Sequence, residues 1–596
     1  MKITCLFFCL SLSFLTGFAA KMEYTLVKDS LPDSLPAHIP SDKYNSFVLY
    51  GTPFSYDRLF SAFQYDSVSM PLAGQYRFGL NPYKQYFDLQ SFVPDLDTNL
   101  GVSDIKVILG STREQLLFLD HQQKISRRMT GQISYNSIVS PGFLLNCLAK
   151  FRRLKLGFNY NSNAVESFVG FESAKVEADE NGGIKPDQSI DGLSKSEFEQ
   201  LQTFLSDDKR VVRRLQVEWK NSILLFSPTQ KDSLASLKFK FHADAAFFKW
   251  GTSYTGSADT AFYQDVFKDT LITNDTSGYN VTSLQPALGL YMIKKGFNLS
   301  LKGGLSLAYI NQRIDSVKSS PDFLSPFVTL RISSGGLSLV STISTVTSDD
   351  VNDGDFSVNA IANFDLGNAL ISSLQLTTGI SEVAPEATSL FYSSNHFKWR
   401  NVFKKEEYTW VKSSAAFFNN RVRLYSNFYQ LKNPVYFNGL ALPAQLNASV
   451  AVMESGFQCD WILRKWRVLS NVRYSGSSKS VIRVPEFGYY LRLSFRDRFF
   501  KKALLAEFGA SVYSFSDWSG YAFMPATGVM YLQQNQNVGG APSLDVFINA
   551  DIGRATLTFL MQRVNDRFFG GENYIAAGYP APPRTFKFAL TWRLYN

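Results

Sequence analysis

The residues able to do acid–base or nucleophilic chemistry are few and dispersed. Four histidines, His38, His121, His242 and His396, are scattered over 596 residues. No H-E-x-x-H, G-x-S-x-G or phosphate-loop spacing brings them, or a serine, into a catalytic pattern. Glu114 and His121 share one stretch, an odd number of positions apart. On a regular strand they face opposite sides, so a hydrogen-bonding role fits better than catalysis. Cys147 and Cys459 are far apart and in no metal-ligand spacing. They read as isolated strand cysteines, with a disulfide between them as the alternative. No enzyme activity, metal or cofactor is expected.

What remains is charge. The formal net charge is +9 and does not fall in one basic block, so nucleic acid is not an expected partner. The charges are instead placed by strand parity. The final residues Arg584–Asn596 read R-T-F-K-F-A-L-T-W-R-L-Y-N. Phe586, Phe588, Leu590, Trp592 and Leu594 share one parity, and Lys587, Ala589, Thr591, Arg593 and Tyr595 share the other. Successive strand side chains point to opposite faces, so one face is apolar and the other wet. The same rule puts Lys238, Lys240, Lys302, Arg421, Arg423, Arg492 and Arg496 on polar faces, together with Asp545, Asn549 and Asp551. If the strands close around a lumen these are its candidate charges. The basic excess predicts a mild preference for anionic or polar solutes. For any single base the alternative is an ion pair with an acid on a neighbouring strand that only braces the wall.

The strands that carry these residues extend over most of the chain. Mean hydropathy is −0.09 and 19% of residues are charged, and beyond the N-terminus there is no apolar run of about 20 residues such as a membrane helix needs. A membrane barrel gives this bland average because half of each strand is polar. Met1–Ala19 reads as an export signal, with Lys2, an apolar Leu6–Phe18 and a small-x-small site at Gly17-Phe18-Ala19. Lys28–Lys43 is a Pro-rich linker. The whole stretch 20–100 is either a periplasmic linker or strap, or a plug inside the lumen. From Ser103 onward alternating segments follow, beginning with Ser103–Leu109, Glu114–Leu119, Gly131–Ile138, Phe143–Lys150 and Leu154–Tyr160. Asn161–Lys209 interrupts them as a long loop, with one short helix predicted by the capping box Ser194-x-x-Glu197. Falling after the fifth strand, that loop is extracellular if the first strand starts in the periplasm. Later runs include Phe297–Tyr309, Leu390–Phe403 and Tyr521–Leu532. No strand–helix alternation appears. The fold class is an all-β, transmembrane antiparallel β-barrel over 101–596, of about 22 strands (range roughly 18–26). Trp399, Trp410, Trp461, Trp466 and Trp518 are expected in interfacial girdles.

One region resembles a known family. Gly110–Gln123, G-S-T-R-E-Q-L-L-F-L-D-H-Q-Q, is similar to the G-S-x-K-E-Q-x-x-x-x-x-H-x-Q stretch of the putative porins of Bacteroidota outer membranes. Gly110, Ser111, Glu114, Gln115, His121 and Gln123 match, and Arg113 stands where that family usually has Lys. The turn at Pro141 and Gly142 resembles its S-S-P-G-F. Glu180-Asn181-Gly182-Gly183-Ile184 resembles its E-N-G-G-I. The closing strand resembles its last one, with Pro583 in place of Gly. The resemblance implies an outer-membrane barrel acting as a diffusion channel. Implied partners are outer-membrane lipid, small solutes and the barrel-assembly machinery, which would read the C-terminal strand. Two other functions stay open: a plugged, ligand-specific transporter for apolar solutes, and a non-transporting barrel such as an adhesin or enzyme.

Overall fold

In a computed structural model of the chain, the residues described are 70–79, 83, 87 and 101–596, apart from 112, 228–234, 257–261, 264–273, 295, 315–316, 369, 567–572 and 596. The expected export signal, the Lys28–Lys43 linker and most of 44–100 lie outside the described residues.

The chain forms a closed 22-strand antiparallel barrel. The first wall strands are β1 (Val102–Gly110), β2 (Gln115–Ser126), β3 (Met129–Ser140), β4 (Ala149–Asn161), β5 (Val165–Asp179), β6 (Lys209–Phe226), β7 (Ala235–Thr255) and β8 (Asn274–Lys294). Then come β9 (Phe297–Ile314), β10 (Asp322–Ser334), β11 (Leu337–Thr345), β12 (Phe356–Asp365), β13 (Ile371–Val383), β14 (Glu406–Phe417) and β15 (Val422–Lys432). The wall ends with β16 (Ser449–Leu463), β17 (Trp466–Ser477), β18 (Phe487–Phe499), β19 (Leu504–Phe515), β20 (Ser543–Asp551), β21 (Ala555–Gln562) and β22 (Thr585–Tyr595). Each strand bonds to the next, and β22 returns to β1 with Tyr595 opposite Val102 and Lys587 opposite Gly110. Closure leaves no free edge, which hydrocarbon requires because no water satisfies exposed backbone groups there.

The two ends of the barrel differ. Most connections from even to odd strands are tight, as at 127–128, 335–336 and 464–465. Gly335 turns with φ 56°, and Phe418, Asn419 and Asn420 between β14 and β15 are all left-handed. Connections from odd to even strands are the long ones, among them 180–208, 384–405, 516–542 and 563–584. β7 and β8, at 21 residues each, far exceed the roughly 9–11 residues a bilayer crossing needs.

Outward side chains form an apolar band, with Val217, Trp219, Leu288, Leu301, Phe428 and Trp592 all exposed. Inward side chains are mostly polar and half-buried or buried. On β22 the apolar parity faces out, and Lys587 and Arg593 face the lumen.

Several expected segments lie elsewhere. Val165–Asp179, read as loop, is a wall strand, and the long connection is 180–208. Charge on both faces, Glu166 and Glu172 inside and Lys175, Glu177 and Asp179 outside, hid its alternation. Phe143–Lys150, read as a strand, is mostly the turn leading into β4. The two errors cancel, so the long connection still follows the fifth strand. Leu390–Phe403 and Tyr521–Leu532 alternate like wall strands but form short hairpins within the long connections. Their aromatics pack on other loops instead of lipid: Trp399 is buried and donates to the Thr388 carbonyl at 2.8 Å. Trp410 is also buried, and Trp518 bridges to Val538, so of the expected girdle only Trp461 and Trp466 sit at short-turn ends of wall strands.

Candidate functional site: the lumen and its mouth

The inward charges meet acids across the strands. Lys240 pairs with Glu166 at 2.7 Å, Lys302 with Asp244 at 3.7 Å and Arg492 with Glu507 at 2.9 Å. Lys587 pairs with Glu114 at 3.0 Å, and Arg593 grips Asp104 through two bonds of 2.7 and 3.0 Å. Lys238 stands opposite Tyr291, and Arg496 opposite Glu507. Arg421 stacks over Trp461, and Arg423 lines a cavity near the short-turn end with Asn363 and Asn420. Asp545 accepts from the Arg563 backbone N–H and Asp551 from that of Gly553, both at 2.9 Å. Asn549 donates to Glu507 at 3.3 Å. Further pairs the parity argument did not single out, such as Glu454 with Arg473 and Glu172 with both Lys155 and Arg214, continue the pattern.

The motif residues divide between wall and mouth. A Cβ at Gly110 would strike the Glu114 carboxylate, so glycine there lets Glu114 turn inward to Lys587. The Ser111 N–H donates to the Phe586 carbonyl at 2.9 Å and ties the same seam. Gln115, His121 and Gln123 have the opposite, outward parity, and His121 Nδ1 sits 2.8 Å from the Ser103 hydroxyl. Glu114 and His121 are therefore not brought together. Pro141 and Gly142 open the turn that buries Cys147, whose thiol lies 2.8 Å from the Leu144 carbonyl; Cys147 and Cys459 are both free. Burial pushes the Cys147 thiol up to about 12. Ser194 caps the helix α1 (Lys195–Phe198) reciprocally with Glu197.

At the long-loop end the connections fold over one another. Phe143, Ile184, Phe198, Phe523, Val538 and Tyr579 share one buried apolar cluster. Asn181 donates to the Leu145 carbonyl at 3.0 Å and accepts from the Gly183 N–H at 3.0 Å. Gly182 and Gly183 both have positive φ, and a Cβ on Gly183 would come within 2.8 Å of the Gly578 carbonyl. Ile184 donates to that same carbonyl at 2.9 Å. Gly183 is thus required by backbone-to-backbone approach of two loops, and Gly182 by its positive φ beneath Phe262 and Leu205.

The centre of the mouth is a buried polar junction. Arg210, at the start of β6 and 2% exposed, reaches across to the connection after β19: it donates to the Ala526 carbonyl at 2.9 Å and to that of Pro525. It also lies 3.4 Å from Glu180, donates to Thr252 at 3.0 Å and stacks on Tyr254. Tyr254 bonds to Asp208 and to the Tyr263 hydroxyl. His396 packs on the Tyr263 ring and holds Asp275 at 2.9 Å. Burial pushes the Glu180 carboxyl up to about 7, against the pull of Arg210 and the Tyr83 hydroxyl. Of this junction only the stretch beginning at Glu180 carried a sequence signal.

Beneath the loops runs part of the N-terminal stretch. Met70 packs against Val383, Trp410 and Val450, near the loop ends of β13, β14 and β16. Ala73 donates to Ser357 at 3.1 Å, Tyr76 bonds to Gln312, and Phe78 stacks on Tyr279. Arg77 donates to Glu406 at 2.8 Å and to the Ala384 carbonyl at 2.7 Å. Tyr83 donates to Glu180 at 2.5 Å, and Phe87 meets Phe151 on β4. These residues follow the inner rim through more than half the wall strands, from β16 down to β4.

A closed wall with an apolar outer band, a polar interior and loops massed at one end defines a large transmembrane β-barrel. The chain belongs to the family described as "Putative porin", whose sequence model matches residues 60–596. No curated protein matches it by sequence. Among solved structures it is similar to the ferric enterobactin receptor PfeA of Pseudomonas aeruginosa, with TM-score 0.57 and 11% identity over 83% of this chain and 81% of that one. The siderophore receptor PirA of Acinetobacter baumannii gives 0.58 and 9% over 83% and 81%. The ferric-catecholate import receptor Fiu of E. coli K12 gives 0.55 and 11% over 83% and 82%. At such identities the likeness shows the fold alone. The family and the large barrel fit an outer-membrane location.

Proposed function

We propose that the protein is an outer-membrane channel for small polar solutes, closed at rest by its own loops and by the rim residues 70–79, 83 and 87. The observation that carries this reading is Arg210 bonding across the mouth to the connection after β19. A wall of this strand number encloses more space than side chains fill, so solute passage is limited by what folds into the mouth. Export by cleavage of residues 1–19, and assembly through the β22 strand, complete the proposal; it assigns no catalytic role. Loop segments open locally on microsecond-to-second timescales while the hydrogen-bonded wall stays intact.

Pairing of the inward charges supports weak charge selection. An ion entering the lumen meets neutralised pairs in place of a bare cationic ring. In planar bilayers under a salt gradient, the open channel is expected to show a reversal potential near zero. A strong shift in either direction would count against this part of the reading. A second reading, saturable uptake of one ligand, is favoured by the rim residues inside the wall and by the likeness in fold to siderophore receptors. Saturation of solute flux at low concentration separates it from diffusion.

A further inference from the structure

Outward on β4 to β7, three cations lie in one row. Arg152 is directly opposite Lys175, and Lys175 directly opposite Arg213. The row ends on Ser137 at one side and Gly251 at the other. Directly opposed side chains have Cβ atoms about 4.5–5.5 Å apart, where like charges repel. Lys175 is paired to Glu177 on its own strand. Arg152 and Arg213 are exposed and form no direct ion pair among the described residues; the nearby Glu177 carboxylate, already bound to Lys175, also feels Lys150 and Arg152, so one acid faces several bases. Lys249, exposed on the same face one row lower, stands opposite Leu215. Only the row above is balanced, with Lys150 opposite Glu177 and, beyond it, Asp179 opposite Lys209.

The position of this row is informative. It lies near the long-loop ends of its strands. Two rows below it, Leu156, Phe171, Val217 and Phe247 face each other in register at the top of the apolar band, about 13 Å away along the strand. The cations therefore sit two rows above the apolar band, with Leu154, Ser173, Leu215 and Lys249 between.

We propose that this face is a docking surface for the phosphorylated headgroup of an outer-leaflet lipid. The lipid's phosphate would lie on Arg152 and Arg213 and its chains on the apolar rows beneath. Charge complementarity selects an anion, and the apolar rows select one that carries chains. A second copy of the chain related by a two-fold axis would bring the cationic row against itself. Arg at both ends of the row suits phosphate, because its planar fork donates two parallel hydrogen bonds. The inference rests on the membrane placement above and not on channel activity.

The test uses the full chain in dodecyl maltoside micelles, with a fluorescent phosphorylated diglucosamine lipid as probe. The double variant Arg152→Gln/Arg213→Gln is expected to bind it about thirtyfold more weakly. Arg128→Gln, at a short turn on the opposite end, should bind as the native chain does. Dephosphorylated lipid should bind the native chain no better than the double variant binds the probe. Retained binding by the double variant, equal binding of dephosphorylated lipid, or full displacement by inorganic phosphate at the probe's concentration would overturn the proposal. The pair Arg152→Lys/Arg213→Lys should recover most of the binding, which separates charge from misfolding. Bilayer conductance of the double variant should be unchanged, so the channel reading stands or falls separately.

Discussion

Replacing Arg210 with Met is expected to release the mouth while the wall stays closed. The change keeps volume but removes donors to Thr252 and to the Pro525 and Ala526 carbonyls. Each buried acceptor left without a donor costs about 1–3 kcal/mol. Glu180 loses its counter-charge, and breaking such a buried pair costs about 3–5 kcal/mol unless the carboxyl takes a proton. The closed arrangement should lose on the order of 3–5 kcal/mol, a shift of roughly a hundredfold or more toward the open form. Open-channel time in bilayers should rise accordingly, and a protease should begin to cut within 516–542. Unchanged gating and unchanged resistance to protease would mean that Arg210 does not hold the mouth.

Glu180 sets the pH dependence of the same junction. Its carboxyl is raised from 4.5 to about 7 in the closed form, chiefly by burial. The closed form therefore binds the proton more tightly than a form in which Glu180 meets water. Closure is fully supported below pH 4.5 and weakens as pH rises through about 7. The substitution Glu180→Gln should flatten that profile.

The second large effect is at the seam. Lys587 and Glu114 are 3% and 1% exposed and 3.0 Å apart. Lys587→Met removes the cation 3.0 Å from the buried Glu114 carboxylate and should cost about 3–5 kcal/mol of barrel stability. The double variant Glu114→Gln/Lys587→Met should recover most of the loss, because a neutral pair carries no charge-desolvation penalty. Thermal unfolding in detergent, read by loss of heat-resistant mobility on gels, checks both. A single variant that unfolds at the native temperature, or a double variant no better than the single, would remove the seam pair from the account.

The barrel was legible because lipid imposes strict alternation. Arg584–Asn596 showed its two faces plainly, and its partner β1 lies where the register of an end-closing strand requires. The wall went unread where that constraint relaxes. β5 carries charges outside because its upper half rises above the apolar band, so Lys175 and Glu177 obscured the pattern. The hairpins of 391–400 and 521–532 alternate for a different reason: one face packs on neighbouring loops. Parity placed Lys587, Arg593 and Arg492 on the inner face, but their acids sit on other strands, and Asp104 is nearly the whole chain away from Arg593. The mouth was the least visible part. Arg210 and Ala526 come together only through closure of the wall and the return of a long loop. No local spacing records that approach, and of its members only Glu180 sits in a recognisable stretch.

The central claim is that the mouth is shut at rest and that its loops, not the wall, limit passage. It is tested most directly by single-channel conductance of the full chain beside a variant whose 521–532 hairpin is replaced by a short Gly-Ser linker. The account predicts a native channel that is closed most of the time and a variant that conducts steadily at several times the native average current. A native chain already conducting steadily at the variant's level would contradict it.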